Sequence, residues 1–138
     1  MRTSLLALML GSVVLACRSS TTAERSVSEA ERVVDGMVAS YNRHDADATT
    51  EAYAADARFY RFPDELFIEG SDSVRSRFQR AFSTEPGVHV AVSPRVVHGR
   101  FVVDNEIITG RKDGKTVNAV WIYEVKNGKI ARAWVLPE

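Results

Sequence analysis

The sequence predicts an α+β domain in which an antiparallel sheet follows and packs against helices, and three observations carry that prediction. Apolar residues recur at three- and four-residue intervals through Ala30, Val33, Val34, Met37, Val38 and Tyr41. They alternate instead along most of the last fifty residues, and the alternating runs are punctuated by His98-Gly99, Asp113-Gly114 and Asn127-Gly128. The first pattern has the helical period; the second is that of strands joined by tight turns, with glycine available for positive φ. Helices grouped ahead of hairpin-linked strands make separate layers, not alternating βα units.

The chain begins outside that domain. Arg2 precedes an apolar run over residues 5–16, the length of a signal-peptide core and too short to span a bilayer. Val14-Leu15-Ala16-Cys17 resembles the bacterial lipobox, whose cysteine is lipidated and becomes the new N-terminus; ordinary signal-peptidase cleavage after Ala16 is the alternative. The single cysteine of the chain stands at the position this chemistry needs, which favours the lipoprotein and excludes an intrachain disulfide. The expectation is a lipoprotein signal peptide over 1–16, a flexible polar tether over 17–27 and one domain over 28–138. Such a protein sits in the bacterial cell envelope, anchored to the membrane through lipidated Cys17 and facing the periplasm or exterior. Removing residues 1–16 leaves 17 basic against 18 acidic residues, a net charge of −1, with no basic stripe to suggest nucleic acid.

The first helix has two capping-box registers, Ser28 with Glu31 and Ser26 with Glu29. Residues 42–47 compete for backbone hydrogen bonds and end it, and Asp45 is placed to cap a second helix through residue 54. An aromatic-rich strand over 57–62 is broken by Pro63-Asp64-Glu65, and a short strand over 66–69 leads through Gly70 into a helix over 71–82. Val74, Phe78 and Phe82 form its buried stripe, while Arg75, Arg77 and Arg80 read as a solvated face. Strands follow over 88–97, 101–110, 116–125 and 130–136.

In order and spacing, MVASYNRHDADATTEAYAADARFY, IEGSDSVRSRF, VVDNEI and IYEVKNGKIARAW together resemble the nuclear transport factor 2-like superfamily, with its SnoaL-like and ketosteroid isomerase-like members. The resemblance covers nearly all of residues 28–136. It implies a cone, a curved antiparallel sheet wrapped against three helices with a cavity between, and homodimers through the other face of the sheet. In the ketosteroid isomerase pattern a tyrosine on the first helix and a protonated acid on a later strand donate to an oxyanion, while a carboxylate on the first strand moves the proton. Tyr41 matches that tyrosine, but the carboxylate position falls on Arg61 and the second acid on or beside Trp121. An arginine, with a pKa above about 12, cannot abstract a proton near neutrality, so that particular chemistry is not expected.

If Asp113-Gly114 is a two-residue turn, Glu106 lies opposite Trp121, Ile108 opposite Ala119 and Asp104 opposite Tyr123, all on one face. Ile107 with Val120 and Asn105 with Ile122 then share the other face, and the register leaves the face of Trp134 open. The resemblance puts the Trp121 face inside. Tyr41, Phe59, Arg61, Glu106, Ile108 and Trp121 are therefore the candidate ligand-binding residues. In the functional reading Arg61 holds an anionic or carbonyl group and Glu106 orients it or moves a proton, with Tyr41 as donor. In the plainer one Arg61 and Glu106 face water or pair with each other, and Tyr41, Phe59 and Trp121 are packing. His44, His89 and His98 lack metal-ligand spacing, and no nucleophile motif, phosphate loop or cofactor cradle is present, so neither metal nor cofactor is expected. The expected function is binding of a small hydrophobic or anionic molecule in the cavity. The alternatives are a lyase, isomerase or hydrolase using Glu106 or Asp104 as base, and an interaction module whose cavity is filled.

Overall fold

Three helices and six strands form over residues 27–136, the part of the chain that the computed structural model describes. In chain order they are α1 (Glu29–Asn42), α2 (Ala46–Glu51), β1 (Tyr53–Arg61), β2 (Glu65–Glu69), α3 (Ser71–Thr84), β3 (His89–His98), β4 (Phe101–Thr109), β5 (Val117–Lys126) and β6 (Lys129–Leu136). The expected signal peptide, Cys17 and all of the expected tether except Val27 lie outside the described residues.

Ser28 settles which capping register starts α1, because its hydroxyl oxygen accepts the Glu31 N–H at 3.1 Å. Ala30, Val34 and Met37 are buried, and Val33, Val38 and Tyr41 pack on the same core. Asp45 caps α2 by accepting the Ala48 N–H at 2.9 Å. That helix ends earlier than its sequence suggests, since the Ile130 N–H donates to the Ala52 carbonyl at 2.9 Å and Tyr53 pairs with Ile130. Pairing with β6 thus overrides the helix propensity of Ala52 and Ala54 and lengthens β1 toward its N-terminus.

The strand order is β2-β1-β6-β5-β4-β3, an open sheet with β2 and β3 at its edges. Four neighbouring pairs are antiparallel; β1 and β6 run parallel, because the meander from β3 returns its last strand beside the first. Pro94 lacks an N–H and sits at the irregularity between Val92 and Arg95 on edge strand β3, where a missing ladder bond is tolerated. α1 and α3 cover the concave face, burying Val34, Met37, Val74 and Phe78 against Tyr53, Ala57, Phe59, Val102, Tyr123 and Ala133.

The expected β4–β5 register is corrected by two residues. Asp104 pairs with Trp121, Glu106 with Ala119 and Ile108 with Val117, while Asn105 pairs with Val120 and Ile107 with Asn118. The turn centres on Lys112 and Asp113, closed by the Gly114 N–H donating to the Arg111 carbonyl at 3.0 Å, not on Asp113-Gly114. Asp113 itself accepts from the Arg111 guanidinium and from the Lys115 N–H. Moving the turn centre by one residue moves every cross-strand partner by two, which keeps each side chain on its expected face. Asn127-Gly128 is the two-residue turn the sequence suggests, with φ of 52° and 71°.

The convex face carries Val103, Ile107, Val120, Ile122, Trp134 and Leu136, and no helix among the described residues covers it. Trp134 belongs to this side, paired with Ile122 and stacked on Tyr60 at 5.6 Å between ring centroids.

One ion cluster ties α1 to the sheet. Both carboxylate oxygens of the fully buried Asp104 accept from Arg95, at 2.6 and 2.8 Å, and the same guanidinium reaches Asp35 on α1. Asp104→Ala should cost about 3–5 kcal/mol in denaturant unfolding by leaving Arg95 half-paired in the interior, whereas replacing both residues with apolar ones should cost much less. A single-variant loss under about 1 kcal/mol would show that the pair is dispensable.

Candidate functional site

Helix stripe and strand alternation together leave a cavity of ≈ 100 Å³ under α1 and α3. α1 contributes Met37, Val38 and Tyr41; β1 contributes Tyr53 and Phe59; α3 contributes Arg77, Phe78 and Ala81. Val90, Glu106, Ile108, Trp121 and Tyr123 complete it from the central and far strands. The walls are largely aromatic, and their rings meet in mixed geometries: Tyr41 lies 6.0 Å from Phe78 at 81° and Phe59 6.2 Å from Trp121 at 76°, both edge-to-face, while Trp121 stacks on Tyr123 at 6.0 Å and 10°. Such rings have little freedom to move, so the cavity's shape is set by the core itself.

The chemistry converges on Glu106. Its carboxylate accepts the Tyr123 hydroxyl at 2.7 Å in a buried setting, and burial pushes the Glu106 carboxyl up to about 7. The Tyr123 hydrogen bond opposes that rise, while the nearby Asp104 charge adds to it. Burial and the Glu106 charge together raise the Tyr41 and Tyr53 hydroxyls, so both remain neutral donors across the physiological range. Both line the cavity, and neither hydroxyl has a hydrogen-bond partner among the described residues. The arrangement is one carboxyl able to carry or release a proton near neutrality, with tyrosine donors beside it and apolar walls around.

Of the residues the sequence singles out, Tyr41, Phe59, Glu106, Ile108 and Trp121 all line this cavity, and Arg61 does not. The placement of Arg61 in the cavity is corrected: its guanidinium pairs with Glu65 at 2.7 Å and lies over the Phe67 ring at 4.9 Å, at the exposed edge where β1 ends and β2 begins. Strand parity puts Arg61 on the side of Phe59, but its side chain turns to Glu65 and Phe67 and not to the cavity. Asp104, the other suggested base, is corrected too, because Arg95 engages both of its oxygens. Tyr53 escapes the sequence reading because a strand starting at residue 57 excludes it, although it shares the parity of the buried Ala57 and Phe59. Arg77 escapes because it flanks the helix stripe and reads as solvated.

His44 takes φ 57° in the α1–α2 turn, and its Nε2 lies 2.7 Å from the Val88 carbonyl, a structural role. Among the described residues no group of three His, Cys, Asp or Glu is placed to hold a metal ion.

Glu106 makes stability fall as pH rises. Its folded value, about 7, lies above the ordinary carboxylate value of 4.5, so between those values the folded chain holds more protons than the unfolded one. Its stabilising contribution is complete below about pH 4.5 and is lost progressively up to about pH 7, on the order of 3 kcal/mol in all. Denaturant unfolding at either end of that window should show the loss in the native chain and a much flatter profile in Glu106→Gln; equal slopes in both would place the titration elsewhere.

The SnoaL-like domain profile matches residues 34–133. Among solved structures, an uncharacterized cystatin-fold protein from Novosphingobium aromaticivorans is 23% identical with a TM-score of 0.72, covering 80% of this chain and 98% of its own. A proposed ketosteroid isomerase from Kribbella flavida is 18% identical with a TM-score of 0.67, covering 80% and 78%. An LEH-like epoxide hydrolase from M. tuberculosis is 18% identical with a TM-score of 0.64, covering 78% and 81%. No curated protein sequence matches the chain. These structural likenesses carry the cystatin-like, nuclear transport factor 2-like fold, and the profile match over residues 34–133 carries the family: the chain belongs to the SnoaL-like domain family.

Proposed function

We propose that this domain binds a small, partly apolar molecule in the cavity beneath α1 and α3. The observation that supports it most is the convergence of Glu106, Tyr41, Tyr53 and Tyr123 on one apolar-walled space, since a merely structural core gains nothing by keeping donors unpaired beside a buried carboxyl. A cavity of roughly 150 Å³ is known to admit benzene, so ≈ 100 Å³ suits a short branched chain as it stands and a single ring once its walls give slightly. Larger polycyclic ligands would require α1 or α3 to move.

A second reading adds chemistry. The raised value of the Glu106 carboxyl, about 7, favours proton exchange with the bound molecule, Tyr41 or Tyr53 donating to an oxygen that gains charge. The neighbours carrying ketosteroid isomerase and epoxide hydrolase names have the same fold, which is compatible with either reading and decides neither. A thermal-shift screen of single-ring alcohols, ketones and acids tests binding. A ligand at a hundred times its dissociation constant should add about 2.7 kcal/mol, roughly 10 °C in melting temperature for a domain of this size. Trp121→Ala should weaken every hit; a screen that moves nothing would favour a filled core. A saturable turnover lost in Glu106→Gln would establish the second reading, and turnover unchanged in that variant would remove it.

We also propose that the chain is exported, lipidated at Cys17 and dimeric through its convex face. The apolar run ending at that cysteine supports the first two, and the uncovered Val103, Ile107, Val120, Ile122, Trp134 and Leu136 support the third. Several acyl chains together should hold the protein firmly on the membrane, where one would hold it only marginally. Intact mass of protein recovered from cells should show the lipid adduct, and light scattering of detergent-free domain from residue 18 onward should give twice the chain mass. An unmodified Cys17, or a monomer at high concentration, would each remove its part of the proposal.

A further inference from the structure

From the same cavity we infer a substrate class: Arg77, not Arg61, is the specificity determinant, and it selects ligands that carry a carboxylate on an apolar ring or chain. The inference rests on the cavity being a ligand site, as proposed above, and goes beyond it by assigning the charged group and its anchor.

Arg77 lies on α3 where two spaces adjoin. It lines the apolar cavity, and with Ala81 it also lines an open groove of ≈ 630 Å³ between α3 and β2, whose other walls include Phe67, Ser73, Ser76 and Arg80. A side chain common to an apolar interior and a wet, polar exterior is where the charged end of an amphiphile should stop. The charges agree with this. Arg77 approaches the Phe67 ring at 5.7 Å, opposite in chain position to Arg61, which approaches the same ring at 4.9 Å. Arg61 is neutralised by Glu65, and on the same helix Arg75 is neutralised by Asp47. Arg77 and Arg80 have no carboxylate within ion-pair distance among the described residues, and Asp72 is the one acidic residue lining the groove. Arg77 therefore offers a guanidinium that lies 5.7 Å from the Phe67 ring and has no carboxylate partner among the described residues, at the boundary of the apolar cavity.

The fork also reaches the site electrically. The Arg77 charge acts to lower the hydroxyl values of both Tyr41 and Tyr53 against their burial, so its field extends over the donors that face the ligand. A carboxylate held there accepts two parallel N–H bonds from the guanidinium while the apolar body fills the space between Phe59, Phe78 and Trp121. Inside, the protonated Glu106 carboxyl places no like charge against it below about pH 7.

Calorimetric titration at about pH 6 with 3-phenylpropionate and with its neutral counterpart 3-phenylpropanol tests the assignment. The native chain should bind the carboxylate about tenfold more tightly than the alcohol. Arg77→Gln should erase that preference by weakening the carboxylate far more than the alcohol, and Arg77→Lys should restore part of it, since the charge returns without the fork. Arg80→Gln, which alters the groove and not the cavity wall, should leave the preference in place. If Arg80→Gln and Arg77→Gln reduce it equally, a general positive field is acting and the assignment fails. Equal binding of both probes by the native chain keeps the cavity as a ligand site and overturns the role of Arg77. Binding of neither overturns the cavity reading and this inference with it. All three variants replace exposed side chains, so melting temperatures near the native value will show that folding is intact.

Discussion

The position of α1 across the concave face of the curved sheet rests on a directional contact as well as on apolar burial. Arg95 supplies this. It spans from Asp104, fully buried on β4, to Asp35 on the outer side of α1, and its own charge is held firmly by the Asp104 hydrogen bonds. The ions are costly to bury and strong once paired, which gives the cluster a single geometry where a greasy contact would tolerate several. With that end of α1 fixed, Val34 and Met37 fill the space beneath it, and the space farther along, toward Tyr41, stays open.

Asp104 and Glu106 show how one strand face produces two different carboxyls. They are two residues apart on β4, both point inward, and both are buried. Asp104 meets a guanidinium, which engages both of its oxygens. Glu106 meets a phenol, which compensates a charge far less than a cation does, so burial dominates and its proton is held to about 7. Only Glu106 lines the cavity, while both oxygens of Asp104 are taken up by Arg95. Glu124 is the contrasting case on the convex side, where hydrogen bonds from Arg132 and Lys126 hold its carboxyl down to about 2.

Most of the fold was legible because it rests on periodicities that survive tertiary packing. The stripe through Val34, Met37 and Tyr41, the Val74 and Phe78 pair, and the inward parity of Glu106, Ile108 and Trp121 all follow from 3.6- and 2-residue repeats. What escaped depends on geometry that no local pattern encodes. The helix propensity of residues 46–54 gives no sign that β6 will capture the Ala52 carbonyl, so Tyr53 was lost from the first strand and from the site. Asp113-Gly114 is good turn chemistry, but the Asp113 side chain is spent on Arg111 and Lys115 and the reversal falls one residue earlier. Parity places Arg61 on the cavity side without saying where the strand runs out, and a solvated-looking helix face conceals that Arg77 sits at the cavity wall.

The convex face shows how strongly burial patterns constrain a partner even where none is present to see. Toward one end of the sheet its apolar residues give way to charge, Phe101 there pairing with Glu124 and lying under Arg100. At one end Glu124, fully covered, is bracketed by Arg100, Lys126 and Arg132, and Arg58 beside them is paired with Glu69. Desolvating that cluster under a second surface would remove water from the excess positive charge without supplying a counter-ion. A partner that covers Ile107, Val120, Ile122 and Leu136 without bringing carboxylates of its own would therefore sit offset from Glu124, toward the end of the sheet where β4 finishes and β5 begins. For two copies related by a two-fold axis the same offset applies to both, so the axis has to pass near the middle of the apolar stretch. The placement of a few arginines thus constrains where such a partner would sit as well as how much apolar area it would cover.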